Sequence, residues 1–306
     1  MMNNIQSILM VRPSSFRMNS ETATNNYFQK HTNFTDKQVL EKACLEFDNL
    51  VNQLRSNGIP VNVFQDDLDH DTPDSVFPNN WISFHSNHRI AIYPMYANNR
   101  RLERNDKVLK FIESKGVIID LINDYSDAEN HNLFLEGTGS MVLDRVNKKS
   151  YCSISARTSE NLIEEFCEEF NYMPIVFKSY QTIDNERKLI YHTNVMMCVA
   201  NNYSIICLDS IDSESDKQIV LKSLRDDNKD VIEISESQLN SFAGNTIELV
   251  YENNSFLVMS SQAYKSLSLD QINKIEKFSK IIQSNVETIE NCGGGSVRCM
   301  IAEVFN

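Results

Sequence analysis

The sequence contains a cysteine in a setting suited to nucleophilic chemistry, because Cys299 follows a run of three glycines and stands directly after Arg298. A thiol attacks as its thiolate, which a neighbouring cation stabilises, and glycines let a substrate and the backbone approach closely. Alone, this run is better explained as a loop before a strand whose cysteine is a small buried residue. The chain also offers a carboxylate at Glu136, before Gly137, and an imidazole at His192. Together these three side chains predict a Cys-His-Glu enzyme.

Five segments with helical periodicity are available to position these groups. They cover residues 36–58, where Asp36 is a suitable N-cap and Gly58 a stop signal, and residues 106–115, 159–170, 213–224 and 269–283. About three short strand-like runs accompany each helix, a ratio that fits neither a doubly wound sheet nor a TIM barrel. The pattern predicts an α/β fold in which five small mixed sheets, each backed by a helix, surround an axial pocket.

Composition narrows the function classes. The 306 residues contain no linker rich in Pro, Gly or Ser, so we expect one domain over residues 1–306. The net charge of -13 opposes a nucleic-acid partner. The six histidines and seven cysteines show neither a metal-ligand spacing nor a disulfide framework, so no metal and no disulfide are expected. The lack of a long apolar run and of a basic leader favours a cytoplasmic protein without a membrane partner.

Four motifs resemble those of the guanidino-group modifying enzymes, the superfamily of arginine deiminase, dimethylarginine hydrolase and the amidinotransferases. They are Leu135-Glu136-Gly137, Ser155-Ala156-Arg157-Thr158, His192-Thr193-Asn194 and Gly293-Gly294-Gly295-Ser296-Val297-Arg298-Cys299. Within this superfamily the chain is most similar to the arginine-deiminase-related citrulline utilisation hydrolases, with further matching stretches at residues 11–13, 76–81 and 191–197. The resemblance implies a five-bladed α/β propeller, in agreement with the fivefold repeat.

The resemblance also implies roles for individual residues. Cys299 is the nucleophile, His192 the general acid and base, and Glu136 the carboxylate that holds and orients a substrate nitrogen. Arg157 binds the α-carboxylate of the substrate, a task that suits its planar guanidinium fork. No cofactor is expected, and the expected partner is a small amino-acid substrate. The sequence does not determine the oligomeric state.

The chain departs from guanidinium-binding relatives at two positions where these carry carboxylates. Asn80, preceded by Asn79, stands in the early motif, and Asn194 in the later one. A ureido group is neutral and presents a carbonyl acceptor beside N–H donors, which asparagine amides complement, whereas a guanidinium has donors only. We therefore expect these asparagines to bind the ureido group of L-citrulline. The alternative for the first pair is a simple turn after Pro78.

The predicted reaction is hydrolysis of citrulline to ornithine, carbon dioxide and ammonia through an S-carbamoyl-cysteine. Cys299 attacks as a thiolate with His192 as its imidazolium partner. One alternative is an arginine deiminase or an amidinotransferase that uses the same residues on a guanidino substrate. Another is a non-catalytic binding module on the same propeller, which the presence of Cys299, His192 and Glu136 together disfavours.

Overall fold

The computed structural model describes residues 4–305. Its α-helices are α1 (Asp36–Ser56), α2 (Asn98–Arg101), α3 (Asp106–Ser114), α4 (Gly137–Ser140), α5 (Glu160–Phe170), α6 (Thr193–Met196), α7 (Glu214–Asp226), α8 (Glu236–Leu239), α9 (Ser261–Ser266), α10 (Leu269–Glu276) and α11 (Glu287–Gly293). Its strands are β1 (Ser7–Arg12), β2 (Val61–Gln65), β3 (Ile82–His85), β4 (Arg89–Ile92), β5 (Leu121–Asp124), β6 (Met141–Asp144), β7 (Lys149–Ser153), β8 (Met173–Phe177), β9 (Tyr180–Ile183), β10 (Glu186–Leu189), β11 (Met197–Val199), β12 (Tyr203–Ile206), β13 (Asp230–Glu233), β14 (Ile247–Tyr251), β15 (Asn254–Ser260), β16 (Lys280–Ser284) and β17 (Ala302–Val304). Short 3₁₀ turns cover Pro78–Asn80, Ser126–His131, Leu208–Ser210 and Val297–Met300.

Five three-stranded sheets share one plan, in which a middle strand pairs antiparallel on one side and parallel on the other. Four of them use consecutive strands, namely β3–β5, β6–β8, β11–β13 and β14–β16. In the remaining sheet β1 is the middle strand, and it pairs antiparallel with β17 and parallel with β2. A parallel pair needs a crossover, and helices supply it in every sheet. This repeat confirms the predicted five-unit α/β arrangement, to which a separate β9–β10 hairpin is added.

Helix α1 shows how the sequence forms these units. Its N-cap is Thr35, one residue before the predicted Asp36, because the Thr35 hydroxyl accepts from the Gln38 backbone while the Gln38 side chain accepts from the Thr35 backbone. Three- and four-residue spacing places one apolar face against the first sheet, formed by Val39, Ala43, Phe47, Leu50, Val51 and Leu54.

The predicted helix over residues 269–283 is too long. Helix α10 ends at Glu276, and the following apolar residues form β16, which pairs in parallel with β15. A short apolar run is consistent with either structure, and the open edge of β15 decides in favour of a strand. No helix of residues 4–305 is both long and apolar enough to cross a membrane.

The repeat places short turns at one end of the molecule. The 3₁₀ turn Pro78–Asn80, helix α4, helix α6 and the 3₁₀ turn Val297–Met300 come directly before β3, β6, β11 and β17, the first strands of four sheets. In the remaining sheet, residues 243–246 precede β14 in the same way. Side chains from all five turns can therefore meet on the axis.

Phe47→Ala should lower the free energy of unfolding by about 3–5 kcal/mol, since Phe47 is fully buried in the core under α1. The matched control is Leu45→Ala on the outer face of the same helix, where Leu45 is 65% exposed and the change should stay within about 0.5 kcal/mol. Urea unfolding of both variants measures the difference. Equal losses would contradict this packing of α1.

Candidate active site

Each of the five axial turns contributes a polar side chain to a common site. These side chains include Asn80, Glu136, His192, Asn245 and Cys299, and none of the five is more than 2% exposed. Glu136 and His192 stand at the N-caps of α4 and α6, while Cys299 lies within the last 3₁₀ turn. The predicted Cys-His-Glu set is thus assembled by the pseudo-fivefold repeat, in a place from which bulk water is excluded.

Glu136 and His192 form a buried pair, with His192 Nε2 2.7 Å from Glu136 Oε2. The second carboxylate oxygen accepts from the Tyr96 backbone at 2.9 Å. Burial by itself would raise the pKa of Glu136, but the Arg157 guanidinium and the His192 hydrogen bond hold that pKa well below its usual range. Glu136 is therefore an ionised acceptor, and His192 donates to it through Nε2.

Burial lowers the pKa of His192 to about 4, although the bond to Glu136 acts in the opposite direction. The imidazole is consequently neutral at neutral pH, with its proton on Nε2 and a lone pair on Nδ1. This differs from the expected imidazolium, because the sequence does not reveal how completely the ring is desolvated. In this state His192 is equipped to accept a proton.

Gly139 permits this arrangement by having no side chain. A Cβ at position 139 would lie 2.7 Å from His192 Nδ1 and 2.5 Å from Asn80 Nδ2. Such distances are well inside van der Waals contact. Gly139 thus lets the His192 imidazole and the Asn80 amide approach the same turn of backbone.

Two asparagine amides contact the thiol. Asn194 Nδ2 lies 3.5 Å and Asn245 Nδ2 3.3 Å from Cys299 Sγ, and the Asn245 amide also donates to the Asn194 carbonyl at 3.0 Å. Sequence reasoning missed Asn245. A signal was present, because Asn245 stands just before the first strand of its sheet, as the other four site residues do.

Arg298, expected to stabilise the thiolate, has other partners. Its guanidinium lies 3.1 Å from Glu303 and donates to the Ile301 carbonyl at 2.9 Å. It is not on the wall of the cavity that Cys299 and His192 share. The amides of Asn194 and Asn245 are the polar groups at the sulfur instead.

A small cavity of about 10 Å³ lies in front of the thiol and the imidazole. Asn80 is on its wall and is held in one orientation: its oxygen accepts from Arg100 at 2.7 Å and its amide nitrogen donates to Asn79 Oδ1 at 3.0 Å. One N–H of the Asn80 amide is left to meet a ligand acceptor.

Two of the predicted substrate-binding residues are not on this wall. Asn79 is fully buried and bonds to Asn80 and to Thr138, while Asn194 is placed against the sulfur and lines a separate axial cavity. Neighbouring residues of a 3₁₀ turn point about 120° apart, so only one of Asn79 and Asn80 can face the cavity. Asn79 and Asn194 therefore do not line this cavity, and their expected role in substrate binding stays a prediction.

Asp74 and Arg100 are further wall residues that sequence reasoning missed. Arg100 is buried and binds Glu103 through two bonds of 2.9 Å. One oxygen of Asp74 accepts from Asn19 at 2.7 Å, and its other oxygen has no hydrogen-bond partner among the described residues. Burial raises the pKa of Asp74, and Arg100 partly offsets this. A buried carboxylate oxygen without a partner is suited to a cationic ligand group.

Arg157 reaches the cavity, but its fork is occupied. Its Nε and Nη2 bind Asn25 Oδ1 at 2.9 and 2.5 Å, and its guanidinium stacks over Tyr191 at 4.8 Å. A side-chain amide oxygen therefore sits where two oxygens of a carboxylate could bind.

The loop over residues 13–34, between β1 and α1, covers the cavity. Besides Asn25, it contributes Asn26, whose amide donates to the Gly293 carbonyl at 3.1 Å. Gly294 has a φ of +65°, and a Cβ there would lie 2.5 Å from the Asn26 amide. The run of glycines thus makes room for this loop at the cavity.

Among residues 4–305, no group of three or more His, Cys, Asp or Glu side chains could hold a metal ion. All seven cysteines are free.

Comparisons with known proteins place the chain in one superfamily. The family model described as N,N dimethylarginine dimethylhydrolase, eukaryotic, matches residues 12–306. No protein of curated function matches the chain in sequence. The family-model match confirms the resemblance to guanidino-group modifying enzymes. The matching model belongs to a different branch of that superfamily from the citrulline utilisation hydrolases, which the motifs resemble most.

Solved structures share the fold. The N-terminal domain of ArgZ, an arginine dihydrolase of the ornithine-ammonia cycle in Cyanobacteria, solved with bound substrate, has a TM-score of 0.71 at 17% identity and covers 98% of both chains. AgrE in complex with L-arginine has a TM-score of 0.73 at 17% identity, over 98% of this chain and 40% of that one. A dimethylarginine dimethylaminohydrolase adduct with S-methyl-L-thiocitrulline has a TM-score of 0.63 at 15% identity, over 98% and 99%.

Gly139→Ala should reduce turnover of the expected substrate, citrulline, by roughly 10- to 100-fold, because the added methyl group displaces the His192 imidazole and the Asn80 amide together. Steady-state kinetics measures the loss, and thermal unfolding by circular dichroism checks that the variant is folded. A folded variant with unchanged kcat would show that these side chains tolerate displacement.

Proposed function

Because the chain belongs to the N,N dimethylarginine dimethylhydrolase family, within the superfamily of guanidino-group modifying enzymes, we propose that it is a cysteine hydrolase acting on a ureido group. The proposed substrate is L-citrulline, and the products are ornithine, carbon dioxide and ammonia. The observation that carries this proposal is the chemistry around the thiol: the polar groups that contact Cys299 Sγ are the neutral amides of Asn194 and Asn245.

Neutral amides favour a neutral reacting group. A ureido oxygen is an acceptor, and the remaining N–H of Asn80 supplies a donor for it. A carboxylate in the same place would face that oxygen acceptor to acceptor, a buried mismatch of roughly 1–3 kcal/mol. A guanidinium, in contrast, carries a positive charge that would have no carboxylate partner at Asn80.

The first step forms a bond between Cys299 Sγ and the ureido carbon. His192 Nδ1 accepts the thiol proton and passes it to the δ-nitrogen as the C–N bond to that nitrogen breaks, which releases ornithine. Glu136 holds the Nε2–H and stabilises the imidazolium that forms in between. The Asn80 amide donates to the oxygen that becomes negative during attack.

The second step hydrolyses the S-carbamoyl group that remains on Cys299. Water gives a proton to His192 and adds to the carbonyl carbon, after which the C–S bond breaks and the sulfur regains a proton. The carbamic acid so released decomposes to carbon dioxide and ammonia. The sum is one citrulline and one water to one ornithine, one carbon dioxide and one ammonia, without a cofactor.

Charged groups at the cavity are available for the amino-acid end of the substrate. The free oxygen of Asp74 suits an α-ammonium group, and the fork of Arg157 suits an α-carboxylate. The carboxylate would take the place of the Asn25 amide oxygen. Binding would thus be coupled to movement of the loop over residues 13–34.

Arginine is the second candidate substrate, and one observation favours it. The buried charges at the site are the carboxylates of Asp74, Glu103 and Glu136 and the guanidinium groups of Arg100 and Arg157, which leaves one negative charge when all are ionised. A cationic substrate would balance that charge. However, burial raises the pKa of Asp74, and raises that of Glu103 to about 7. If one of these carboxylates took up a proton, the buried charges would cancel, and the site would equally suit neutral citrulline.

The direct test supplies purified protein with citrulline or with arginine and measures ornithine, ammonia and citrulline. Ornithine from citrulline is expected, and Cys299→Ser should abolish it because an alcohol is a far weaker nucleophile than a thiolate. Cys44→Ser is the matched control and should retain activity, since Cys44 is half-buried and bonds only to the Pro13 carbonyl. Citrulline formed from arginine would indicate a deiminase, and no turnover of either would favour a transferase or a binding module.

Asn80→Asp should reverse the preference between the two amino acids. In the inactive Cys299→Ser background, citrulline should bind more weakly and arginine more tightly, with a change in the affinity ratio of roughly ten- to a hundredfold. Calorimetric titration of each amino acid measures this ratio. General damage to the site would weaken both ligands alike, so an unchanged ratio would show that Asn80 does not distinguish their charges.

A further inference from the structure

A second cavity lies on the face opposite the candidate active site. Strands β3 and β6 start at the site and end at His85 and Asp144, so the residues around these ends are about 13 Å away along the strands. This cavity has a volume of about 400 Å³, within the range of small-molecule sites. Phe305, which directly follows β17, also lies on its wall.

The wall of this cavity has a positive charge, although the chain as a whole carries -13. Three cations line it, Arg89, Arg145 and Lys148, against the single carboxylate of Glu169. His85 adds no charge near neutrality, because burial lowers its pKa well below the usual value. The lining thus has an excess of two positive charges.

Arg89 is paired with Glu169 at 2.5 Å, whereas Lys148 and Arg145 lack a close carboxylate of their own among the described residues. Lys148 has no ion-pair partner among residues 4–305, and desolvation together with the nearby Arg145 lowers its pKa. Arg145 is 3.8 Å from Glu303, a carboxylate that Arg298 approaches more closely at 3.1 Å. Like charges held close together at a partly desolvated wall are favourable when an anion lies between them.

Each cation is fixed over an aromatic ring. Arg89 stacks on Phe170 at 4.4 Å, Arg145 on Phe305 at 4.3 Å and Lys148 on Tyr172 at 4.7 Å, where the distances join the cationic atom to the ring centre. The ring of Phe170 also packs on that of His85, with the ring centres 4.2 Å apart. The rings therefore serve to hold the cations, and the groups offered to a ligand are cationic rather than aromatic.

We propose that this cavity is a binding site for a small phosphate-bearing molecule. The lining's excess of two positive charges matches the charge of a phosphate monoester near neutral pH, and the volume exceeds what a phosphate ion alone would fill. Guanidinium and ammonium groups are both suited to phosphate oxygens. The proposal is independent of the substrate assigned to the active site.

The test is calorimetric titration at low ionic strength with glycerol 3-phosphate, inorganic phosphate and succinate. Glycerol 3-phosphate and inorganic phosphate should both saturate, with the ester binding at least as tightly as the free ion.

Lys148→Asn should weaken binding of both phosphate compounds roughly ten- to a hundredfold. Asparagine is chosen because position 148 has a φ of +55°, which this residue accepts. Lys148→Arg, which keeps the charge, should retain binding.

The matched control is Lys115→Asn, since Lys115 also stacks on a ring, that of Phe111, but lies outside the cavity. It should leave the affinity unchanged, and so should Cys299→Ser, which separates this site from the active site. The proposal is overturned if neither phosphate compound saturates, if Lys148→Asn and Lys115→Asn have equal effects, or if succinate binds more tightly than both phosphates.

Discussion

The ionised carboxylate of Glu136 lies on the axis with no exposed surface, and the arrangement around it follows from the need to compensate that charge. His192 and the Tyr96 backbone donate to it directly, and the guanidinium of Arg157 lies 3.4 Å away. These partners come from different turns of the propeller. One buried charge thereby fixes the imidazole in the tautomer that leaves Nδ1 free, and links the turn that carries Glu136 to Arg157.

The repeat could be predicted from the sequence because it is carried by local signals. Caps, helical periodicity and short alternating runs gave five helix-and-sheet units, and the resemblance added the roles of Cys299, His192 and Glu136. The errors arose where a tertiary partner decides. Residues 280–284 become a strand because β15 offers an edge, and burial makes His192 neutral where the motif alone implied a cation.

The wall and axial residues that sequence reasoning missed are recognised only from their packing in the fold. Asp74 is an ordinary acid in the sequence, and only the fold shows one of its oxygens buried without a partner. Arg100 is one of two adjacent arginines and resembles a surface charge, yet it is buried and orients Asn80. Asn245 has no motif around it. Its position before a first strand becomes informative only when the five units are compared with one another.

The site is complete only when the ring of five sheets closes, and closure needs contacts between residues that are far apart in the sequence. Strand β17 pairs with β1, so that Ser7 lies opposite Val304 across almost the whole described chain, and Cys299 stands in the turn directly before β17. Pairing over such a separation costs more loop-closure entropy than the contacts inside one unit and tends to form late. A chain in which four sheets had formed but β17 had not paired with β1 would show most of its helical circular dichroism, yet Cys299 would not be on the axis. Recovery of catalytic activity during refolding should therefore lag behind recovery of secondary structure.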